Sequence, residues 1–476
     1  MADVPSRSTR AEDINEEFFV TDTVYDMVIL GAGSGGYAAA LRGAQLGLKV
    51  ALIEADKVGG TCLHRGCVPT KAILHSAETA RTVREAAAVG VRAAFEGIDM
   101  PAVQKYKNGV VARMYKGLQG LVSSRGIEVI SGWGRLVAKD VVEVNGRRYR
   151  GRNIVLASGS FSKTIGQEIS GPVMTSEQAL ELDHVPTSAI ILGGGVIGVE
   201  FASAWASMGS RVTIIEGLPR LVPNEDEAVS KQLERAFRKR KIAFKTNTMF
   251  DSVERTASGV TVRTADSTTY DAEILLIAVG RGPATANLGY EEAGVAMDRG
   301  FVLTDDYGRT NIENVWAVGD IVPGVQLAHR GFAQGIAVAE AIAGLEPRPI
   351  DDYLVPKVTF CDPEIASVGL TEERAAEVHG AQNIETAEFN VAGNAKSQIL
   401  GAQGFVKLVS LKDGPILGFH AIGTRMGEQV GEGQLIVSWE ADAADIAPLV
   451  HAHPTQNETI GEAAMALAGK PLHNHG

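Results

Sequence analysis

Cysteine is scarce in this sequence, with only three in 476 residues. So few cysteines argue against a fold held together by disulfides and favour a reducing compartment, so we expect a cytoplasmic protein in which any disulfide is catalytic. No run of about 18 apolar residues occurs, and no membrane span is therefore predicted. The first twenty residues are charged and lack the apolar segment of a signal peptide. Residues 1–22 are predicted to form a loose tail.

Positive charge is also in deficit. Lysine and arginine total 45 against 57 acidic residues, which gives a formal net charge of −12. This balance disfavours nucleic acid as a partner, because binding to phosphates relies on basic surfaces. The chain is too long for one hydrophobic core, so about two to four domains are expected. Glycine, in contrast, is abundant at 54 residues.

Two of the three cysteines lie close together in the segment GGTCLHRGCVPTKAIL, residues 59–74. Pro69 follows Cys67 by two residues, and proline favours the first turn of a helix, so Cys67 is predicted at a helix N-terminus. The free amides there favour a thiolate. Cys62 and Cys67 could form a redox-active disulfide or be two inert thiols. Zinc needs about four ligands, and no second cysteine pair or histidine cluster lies nearby, so no metal site is predicted.

An apolar strand pattern at residues 24–30 leads directly into GAGSGG, then a helical pattern, then a second strand that ends at Glu54. This order is typical of a dinucleotide-binding unit. Gly31 would permit the tight turn, Gly33 the approach of a diphosphate to the backbone, and Gly36 close packing of helix on strand. Glu54 would accept hydrogen bonds from a ribose.

The same unit occurs a second time, where residues 189–192 lead into GGGVIG. Its glycines and its acid are Gly193, Gly195, Gly198 and Glu216. The acid follows the first glycine at the same distance in both units. A single glycine motif is weak evidence, but two such units predict that the chain binds two dinucleotides.

Three further strand-like segments end in residues that suit a cofactor. NIVLASGS ends with Ser158 and Gly159, EILLIAVGRGP contains Gly280 and Arg281, and TNIENVWAVGD ends with Asp320. Small residues let the backbone approach a bound group, and a carboxylate can accept hydrogen bonds from hydroxyls. Each segment could equally be an ordinary corner between a strand and a loop.

From about Pro356 the pattern becomes that of an antiparallel sheet. Its apolar faces have no obvious partner among the preceding elements, so we expect a second copy of the chain to bury them. Near the C-terminus, His453 precedes Glu458 by five residues, a spacing that allows the acid to orient the imidazole. A surface turn before a helix is the simpler alternative. His451 is interpreted as structural and Cys361 as a plain buried thiol.

In this order the motifs resemble the pyridine nucleotide–disulfide oxidoreductases, from about Tyr25 onwards. The resemblance implies an α/β fold with two Rossmann-like dinucleotide-binding domains and a C-terminal α+β dimerisation domain. The implied domains are an FAD-binding domain at 23–159, an NAD-binding domain at 160–283, a central domain completing the FAD site at 284–354, and an interface domain at 355–476.

Within the family the motifs are most similar to those of the flavoproteins of 2-oxoacid dehydrogenase complexes. This implies oxidation of protein-bound dihydrolipoamide with NAD⁺ as acceptor, and a lipoyl-bearing acyltransferase as partner. A different disulfide reductase, for a low-molecular-weight thiol or for mercuric ion, is the alternative, as is a non-catalytic assembly subunit. Glu216 favours NAD over NADP, because a carboxylate there repels a 2′-phosphate.

The resemblance also implies binding roles for individual residues. Those implied for FAD are Gly31, Gly33, Gly36, Glu54, Thr61, Lys71, Ser158, Gly159, Asp320, Gln326, Leu327, Ala328 and His329. Those implied for NAD are Gly193, Gly195, Gly198, Glu216 and Gly280. Glu200 is implied to pair with Lys71.

Four residues are implied to be catalytic. Cys67 would face the flavin as a thiolate, and Cys62 would exchange with the substrate disulfide. His453, oriented by Glu458, would be the acid–base group and would come from the other subunit of a homodimer.

The sequence departs from the family pattern between the cysteines. His64 and Arg65 stand where relatives commonly have asparagine and a small apolar residue. Ser158 replaces a common threonine.

Overall fold

The structure is a computed structural model and describes residues 19–473. The strands are β1 (Phe19–Leu30), β2 (Val50–Glu54), β3 (Glu128–Ser131), β4 (Gly134–Ala138), β5 (Val141–Val144), β6 (Arg147–Leu156), β7 (Ser160–Ser162), β8 (Val173–Met174), β9 (Ser188–Leu192), β10 (Arg211–Ile215), β11 (Ala243–Lys245), β12 (Phe250–Thr256), β13 (Gly259–Thr264), β14 (Thr269–Ala272), β15 (Ile274–Ile277), β16 (Arg281–Pro283), β17 (Met297–Asp298), β18 (Phe301–Val302), β19 (Val315–Ala317), β20 (Lys357–Thr359), β21 (Glu364–Gly369), β22 (Ile384–Asn390), β23 (Phe405–Leu411) and β24 (Ile416–Gly423). The α-helices are α1 (Ser34–Gln45), α2 (Gly60–Arg65), α3 (Cys67–Glu85), α4 (Met100–Ser124), α5 (Ser176–Ala179), α6 (Val196–Met208), α7 (Glu227–Lys239), α8 (Ala328–Ile342), α9 (Glu372–His379), α10 (Ala395–Ile399), α11 (Val430–Ser438), α12 (Ala443–Ile446) and α13 (Glu458–Leu467).

The first dinucleotide unit is built on a seven-stranded sheet. Its order is β3-β2-β1-β6-β5-β4, and β19 also pairs with β6. The long strand β6 makes this possible, because residues 147–150 pair with β5 and residues 154–156 pair with β19. Helices α1, α4 and α8 cover one face of the parallel part, and a segment that includes Leu288 and Tyr290 packs on the other. Both faces are therefore buried, which explains why residues 24–30 form a nearly unbroken apolar run.

Strand β1 begins earlier than the sequence pattern suggested. Residues 19 and 20 already pair with residues 147 and 148 of β6. Residues 19–22 therefore belong to β1 and not to the predicted tail of residues 1–22. Residues 1–18 of that tail lie outside the described part of the chain.

The second dinucleotide unit has a five-stranded parallel sheet, in the order β11-β10-β9-β15-β8. A three-stranded antiparallel sheet, β12-β13-β14, is attached to it. In both units a buried central strand, β1 or β9, leads through a glycine turn into a helix, α1 or α6. The two predicted strand–turn–helix–strand units are therefore both present.

The C-terminal segment forms the predicted antiparallel sheet, in the order β20-β21-β24-β23-β22. One face packs against α11 and α13 through side chains such as Ile436 and Ile460. On the other face, Ile365 and Phe405 join a core cluster with Phe237 of α7. The expectation that this sheet lacks a partner among the preceding elements is thus wrong, because the second dinucleotide unit covers one face.

Large apolar side chains nevertheless remain at the surface of this C-terminal unit. Trp439 is 76% exposed, and Val450 is 97% exposed beside the half-exposed Leu449. They lie just after α11 and just before His453 in sequence. Within residues 19–473, no helix is long and apolar enough to cross a membrane.

Candidate active site

The two glycine turns have the same geometry. Gly31 has a φ of +104°, and a Cβ there would lie 2.3 Å from the carbonyl oxygen of Ala157. Gly193 has a φ of +101°, with a Cβ placed 2.4 Å from the carbonyl oxygen of Ala278. Only glycine fits either position. Each glycine turn therefore packs against the C-terminal end of a neighbouring strand, β6 for Gly31 and β15 for Gly193. The residues that follow β6 and β15 thus lie beside the glycine turns.

The other glycines of the first motif have the same surroundings as their counterparts in the second motif. A Cβ on Gly36 would lie 1.8 Å from the oxygen of Gly31, which shows how closely α1 packs on the turn. Gly198 has the same relation to Gly193, at 1.9 Å. A Cβ on Gly33 would meet no atom within 4 Å. The equivalent residue, Gly195, is equally open. An anion can therefore approach the backbone at both helix N-termini.

The acidic residues at the end of the second strand of each dinucleotide unit, Glu54 and Glu216, also make equivalent hydrogen bonds. Glu54 accepts hydrogen bonds from the N–H groups of Ala32 at 2.8 Å and Asp56 at 2.9 Å. Glu216, which is 8% exposed, accepts from the N–H groups of Gly194 and Leu218. Each carboxylate is thus fixed beside its glycine turn, where its remaining lone pairs can accept from ribose hydroxyls.

The two cysteines lie on consecutive helices. Cys62 is in α2, and Cys67 is the first residue of α3. Gly66 separates the helices, with a φ of −142° and a ψ of −112°. The Thr70 N–H and hydroxyl both bond to the Gly66 carbonyl, at 3.0 and 2.6 Å, and fix the start of α3. The predicted helix start at Cys67 is confirmed. Both cysteines are free thiols in this structure.

The two thiols differ in acidity. A hydrogen bond from Cys62 is the main reason that the pKa of Cys67 is lowered to about 7; burial opposes this, and the Lys71 cation supports it. The pKa of Cys62 is raised, first because its thiol donates that hydrogen bond and then because of burial. In the dithiol state Cys67 is therefore the thiolate and Cys62 is the protonated partner.

This assignment predicts how the reduced protein reacts with iodoacetamide. In a Cys62→Ser variant, whose hydroxyl can still donate to Cys67, the alkylation rate should rise as pH increases through about 7. Lys71→Met should move that midpoint to higher pH, because the neighbouring cation is removed. If the pH midpoint of the alkylation rate lies near that of an ordinary cysteine thiol in both variants, the assignment is contradicted.

Lys71 connects α3 to the second dinucleotide unit. Its Nζ lies 2.9 Å from both carboxylate oxygens of Glu200, a 2%-exposed residue of α6. Glu200 also accepts a hydrogen bond from the Phe360 N–H at 2.9 Å, and the ammonium lies over the Phe360 ring. The lysine beside the cysteines is thus held by both other units of the chain, with its charge partly paired.

A second polar cluster surrounds Asp320. Ser160 donates to one Asp320 oxygen at 2.5 Å, and Arg281 donates from Nε to the Ser160 hydroxyl at 2.7 Å. Arg281 also bonds to the Ser160 carbonyl at 2.8 Å. From the sequence, Arg281 was noted directly after Gly280 at a strand end, but no individual role was predicted for it. The arginine orients Ser160, and Ser160 holds the Asp320 carboxylate, which keeps oxygen lone pairs for hydroxyl donors.

Four more residues predicted to contact a cofactor, Gln326, Leu327, Ala328 and His329, lie at the start of α8, and Thr61, Gly159 and Gly280 line the same cleft from other elements. Gln326 donates to the Asp320 carbonyl at 3.2 Å, and Leu327 is the N-cap of α8. The Nε2 atom of His329 lies 2.7 Å from the Pro356 carbonyl, so this histidine is tied to the chain entering the C-terminal sheet. Ser158 accepts a hydrogen bond from the buried Tyr290 hydroxyl at 3.0 Å.

The two unusual residues between the cysteines have defined contacts. His64 lies edge-on to the Tyr115 ring of α4, and its Nε2 is 3.0 Å from the Val58 carbonyl. Arg65 pairs with Asp56 at 2.6 Å, with both side chains about half exposed. These contacts fasten α2 to the loop that precedes it. Such an exposed ion pair contributes little stability.

His453 and Glu458 form the pair that their spacing suggested. His453 Nδ1 lies 2.8 Å from Glu458 Oε1, and the other oxygen accepts from the Thr455 N–H at 2.7 Å. Burial raises the pKa of Glu458, but the hydrogen bonds from Thr455 and His453 outweigh it and lower the pKa overall. His451, interpreted as structural, has its Nε2 2.7 Å from Oε1 of Glu432.

A single cleft of about 1690 Å³ brings most of these groups together. It is lined by both glycine turns, both cysteines, Lys71, Glu200, Asp320 and the start of α8. Among the residues that the structure describes, His453 and Glu458 do not line this cleft, and the His453 side chain is 70% exposed. One chain thus places the thiols between two nucleotide-type turns but leaves the histidine outside.

The sequence matches known family models over most of its length. Residues 25–335 match the model described as pyridine nucleotide-disulphide oxidoreductase, and residues 355–464 match the dimerisation domain of the same family. The chain belongs to the pyridine nucleotide-disulphide oxidoreductase family. It is therefore an oxidoreductase with a dimerisation domain at its C-terminal end, as its motifs predicted.

Its relatives define the particular branch of that family. A dihydrolipoyl dehydrogenase of Bacillus subtilis is 37% identical over 473 residues, which cover 95% of this chain and 99% of the relative. The dihydrolipoyl dehydrogenase of Mycobacterium leprae is 38% identical, covering 94% and 99%. Among solved structures, LpdA from Mycobacterium tuberculosis aligns with a TM-score of 0.86 at 26% identity, covering 93% of this chain and 99% of that one.

Proposed function

We propose that this protein is a dihydrolipoyl dehydrogenase, which oxidises protein-bound dihydrolipoamide to lipoamide and reduces NAD⁺ to NADH. The observation that carries the proposal is the pair of unequal thiols, Cys62 and Cys67, in a cleft between two matched nucleotide turns. The relatives that share 37–38% identity over nearly the whole chain bear this name. The acyltransferase that carries the lipoyl group would be the partner in a 2-oxoacid dehydrogenase complex.

The residues present fit FAD in the first unit and NAD in the second. Gly33 and Gly195 are open to a diphosphate, and Glu54 and Glu216 are fixed for a ribose. Asp320 and the start of α8 line the same cleft, where they would hold the remaining parts of FAD. When bound, flavin and nicotinamide supply the hydride chemistry. We assign the domains as predicted, with residue 23 replaced by residue 19 as the start of the first.

Side chains of the protein itself would carry out the thiol–disulfide exchange with the substrate. In the oxidised enzyme a disulfide would join Cys62 and Cys67. A substrate thiolate would attack the Cys62 sulfur, which releases Cys67 as the stabilised thiolate, and the second substrate thiol would then displace Cys62. The substrate leaves as a disulfide, and the two electrons stay with the Cys62–Cys67 dithiol. Lys71 lies beside the thiolate charge that forms at Cys67.

His453 would accept the protons that the substrate thiols release, with Glu458 holding its imidazole. Since this pair lies outside the cleft of its own chain, we propose that it serves the cleft of a second copy. The family's dimerisation domain and the exposed apolar side chains Trp439 and Val450 of the same C-terminal unit support this arrangement. The active form would be a homodimer with two shared sites. A reducing compartment such as the cytoplasm would suit the exposed thiol chemistry.

The Glu216 geometry predicts a preference for NAD⁺ over NADP⁺. Glu216 is held by two N–H groups beside the second glycine turn, where a 2′-phosphate would meet its negative charge. The efficiency, kcat/KM, with NADP⁺ should be at least roughly tenfold lower than with NAD⁺. Steady-state assays with both nucleotides measure it, and comparable efficiencies would contradict the proposed role of Glu216.

A substrate panel tests the proposed function. The purified protein, loaded with FAD, should reduce NAD⁺ with free dihydrolipoamide and should show little NADH- or NADPH-dependent reduction of glutathione disulfide. A strong preference for glutathione disulfide or for mercuric ion would replace the proposal by one of the other reductase activities.

A further inference from the structure

A lysine lies in the middle of the C-terminal sheet, where apolar residues are normal. Lys407 is the third residue of β23, in which residues 405–410 are all buried, and it is only 6% exposed. Burying an ammonium group is costly unless it is paired. Its Nζ lies 2.9 Å from Asp226 Oδ1 and 2.6 Å from Glu372 Oε2. The titratable neighbours across the sheet are Glu388 on β22 and His420 on β24.

Asp226 belongs to the second dinucleotide unit and is 2% exposed. It is the N-cap of α7, where Oδ1 accepts from the Ala228 N–H at 3.0 Å. Its Oδ2 accepts from the Glu372 N–H at 3.1 Å. One carboxylate therefore caps a helix of the nucleotide unit and binds both the lysine and the backbone of the interface unit.

The adjacent acid makes a parallel contact. Glu225 accepts a hydrogen bond from the buried Ser367 hydroxyl at 2.6 Å and lies 3.5 Å from Lys357 Nζ. Two consecutive acids thus reach from the second dinucleotide unit into the C-terminal sheet. Each is paired there, so this polar layer specifies one arrangement of the two units.

The acids also connect to the second glycine turn. The segment before α7 contributes Pro223, Asn224 and Glu225 to the cleft. One residue earlier, the Val222 N–H donates to the Gly194 carbonyl at 2.8 Å. A displacement of Asp226 would therefore be transmitted through a short chain segment to the turn that receives the nucleotide.

We propose that Lys407 is a positioning residue that acts through Asp226 to hold the second glycine turn in register with the flavin site. The inference rests on the proposed binding of NAD in the second unit. Among the residues that the structure describes, Lys407 does not line the cleft. Its loss should impair reactions of the nicotinamide nucleotide and spare the exchange between thiols and flavin.

The test uses the FAD-loaded dimer, three single variants, and the double variant that combines Lys407→Met with Asp226→Asn. Lys407→Met removes the charge and keeps the chain length. Asp226→Asn removes the opposite charge but retains a residue that caps helices well. Lys412→Met is the matched control, because Lys412 is exposed beyond the end of the same strand and its ammonium donates to the Gln382 carbonyl at 2.7 Å.

Stopped-flow absorbance then follows flavin reduction by NADH and, separately, by dihydrolipoamide. Lys407→Met and Asp226→Asn should each slow the NADH reaction or weaken NADH binding roughly tenfold, with the dihydrolipoamide reaction within about twofold of wild type. The double variant should be little worse than either single one, because both remove the same ion pair. Lys412→Met should behave as wild type in both reactions.

Equal losses in both reactions would overturn the inference, as would a Lys407→Met variant that matches Lys412→Met. If Lys407→Met does not fold, the Asp226→Asn variant tests the inference in its place. It must lose rate or affinity with NADH and keep the dihydrolipoamide reaction. If wild type reacts with NADH but not with dihydrolipoamide, the proposed function fails. The NADH reaction of the variants relative to Lys412→Met then still decides the role of Lys407.

Discussion

Replacing Cys67 by serine should lower kcat for NAD⁺ reduction at least about a thousandfold, because the group that stores the thiolate charge is lost. Two-electron reduction of the wild-type flavoprotein should produce long-wavelength flavin–thiolate absorbance, and Cys67→Ser should abolish it. Since the pKa of Cys67 is lowered to about 7, the wild-type band should be present above that pH and fade below it.

The third cysteine supplies the control for this experiment. Cys361 is 1% exposed, and burial raises the pKa of its thiol well above the ordinary value. Its sulfur lies 3.1 Å from the Pro363 carbonyl, a bond that a serine hydroxyl can also make. Cys361→Ser should keep the band and most of the activity. A band that survives in Cys67→Ser would show that another group is the thiolate.

Mixing two inactive variants should restore activity if the site is shared between subunits. His453→Ala removes the acid–base group, and Cys62→Ser removes the exchanging thiol, so each alone should lose roughly a hundredfold or more. Random pairing after co-refolding makes half of the dimers mixed, and each mixed dimer has one intact site. The mixture should therefore recover about a quarter of wild-type activity.

The same experiment can fail in an informative way. If native mass spectrometry shows mixed dimers and the mixture stays inactive, His453 serves the cleft of its own chain. An active species that sediments as a monomer would equally exclude the shared site. The 70% exposure of His453 in one chain leads us to expect neither result.

The parts of the fold that local chemistry determines could be predicted from the sequence. Gly31 and Gly193 stand where the backbone has positive φ and meets a neighbouring strand, so the sequence shows them directly as glycines after apolar runs. The start of α3 at Cys67 follows from Pro69 in its first turn. The His453–Glu458 hydrogen bond needs only a short segment.

Contacts between distant segments could not be predicted in the same way. Lys407 and Asp226 lie far apart in sequence, and neither stands in a motif that marks it as buried. A charged residue inside an alternating strand normally indicates a solvated face, whereas here the second dinucleotide unit covers that face. The same packing explains why the prediction that the C-terminal sheet has no partner among the preceding elements was wrong. Arg281 was missed because its hydrogen bonds to Ser160 join two separate strands.

We propose that electrons pass from a dithiol substrate through the Cys62–Cys67 pair to NAD⁺, and an anaerobic titration can follow this transfer. About one equivalent of dihydrolipoamide is added to the FAD-loaded enzyme, and NAD⁺ follows. The long-wavelength thiolate band should appear with the first addition and disappear with the second, as about one equivalent of NADH forms. If dihydrolipoamide leaves the spectrum unchanged while NADH reduces the flavin, the claim is contradicted.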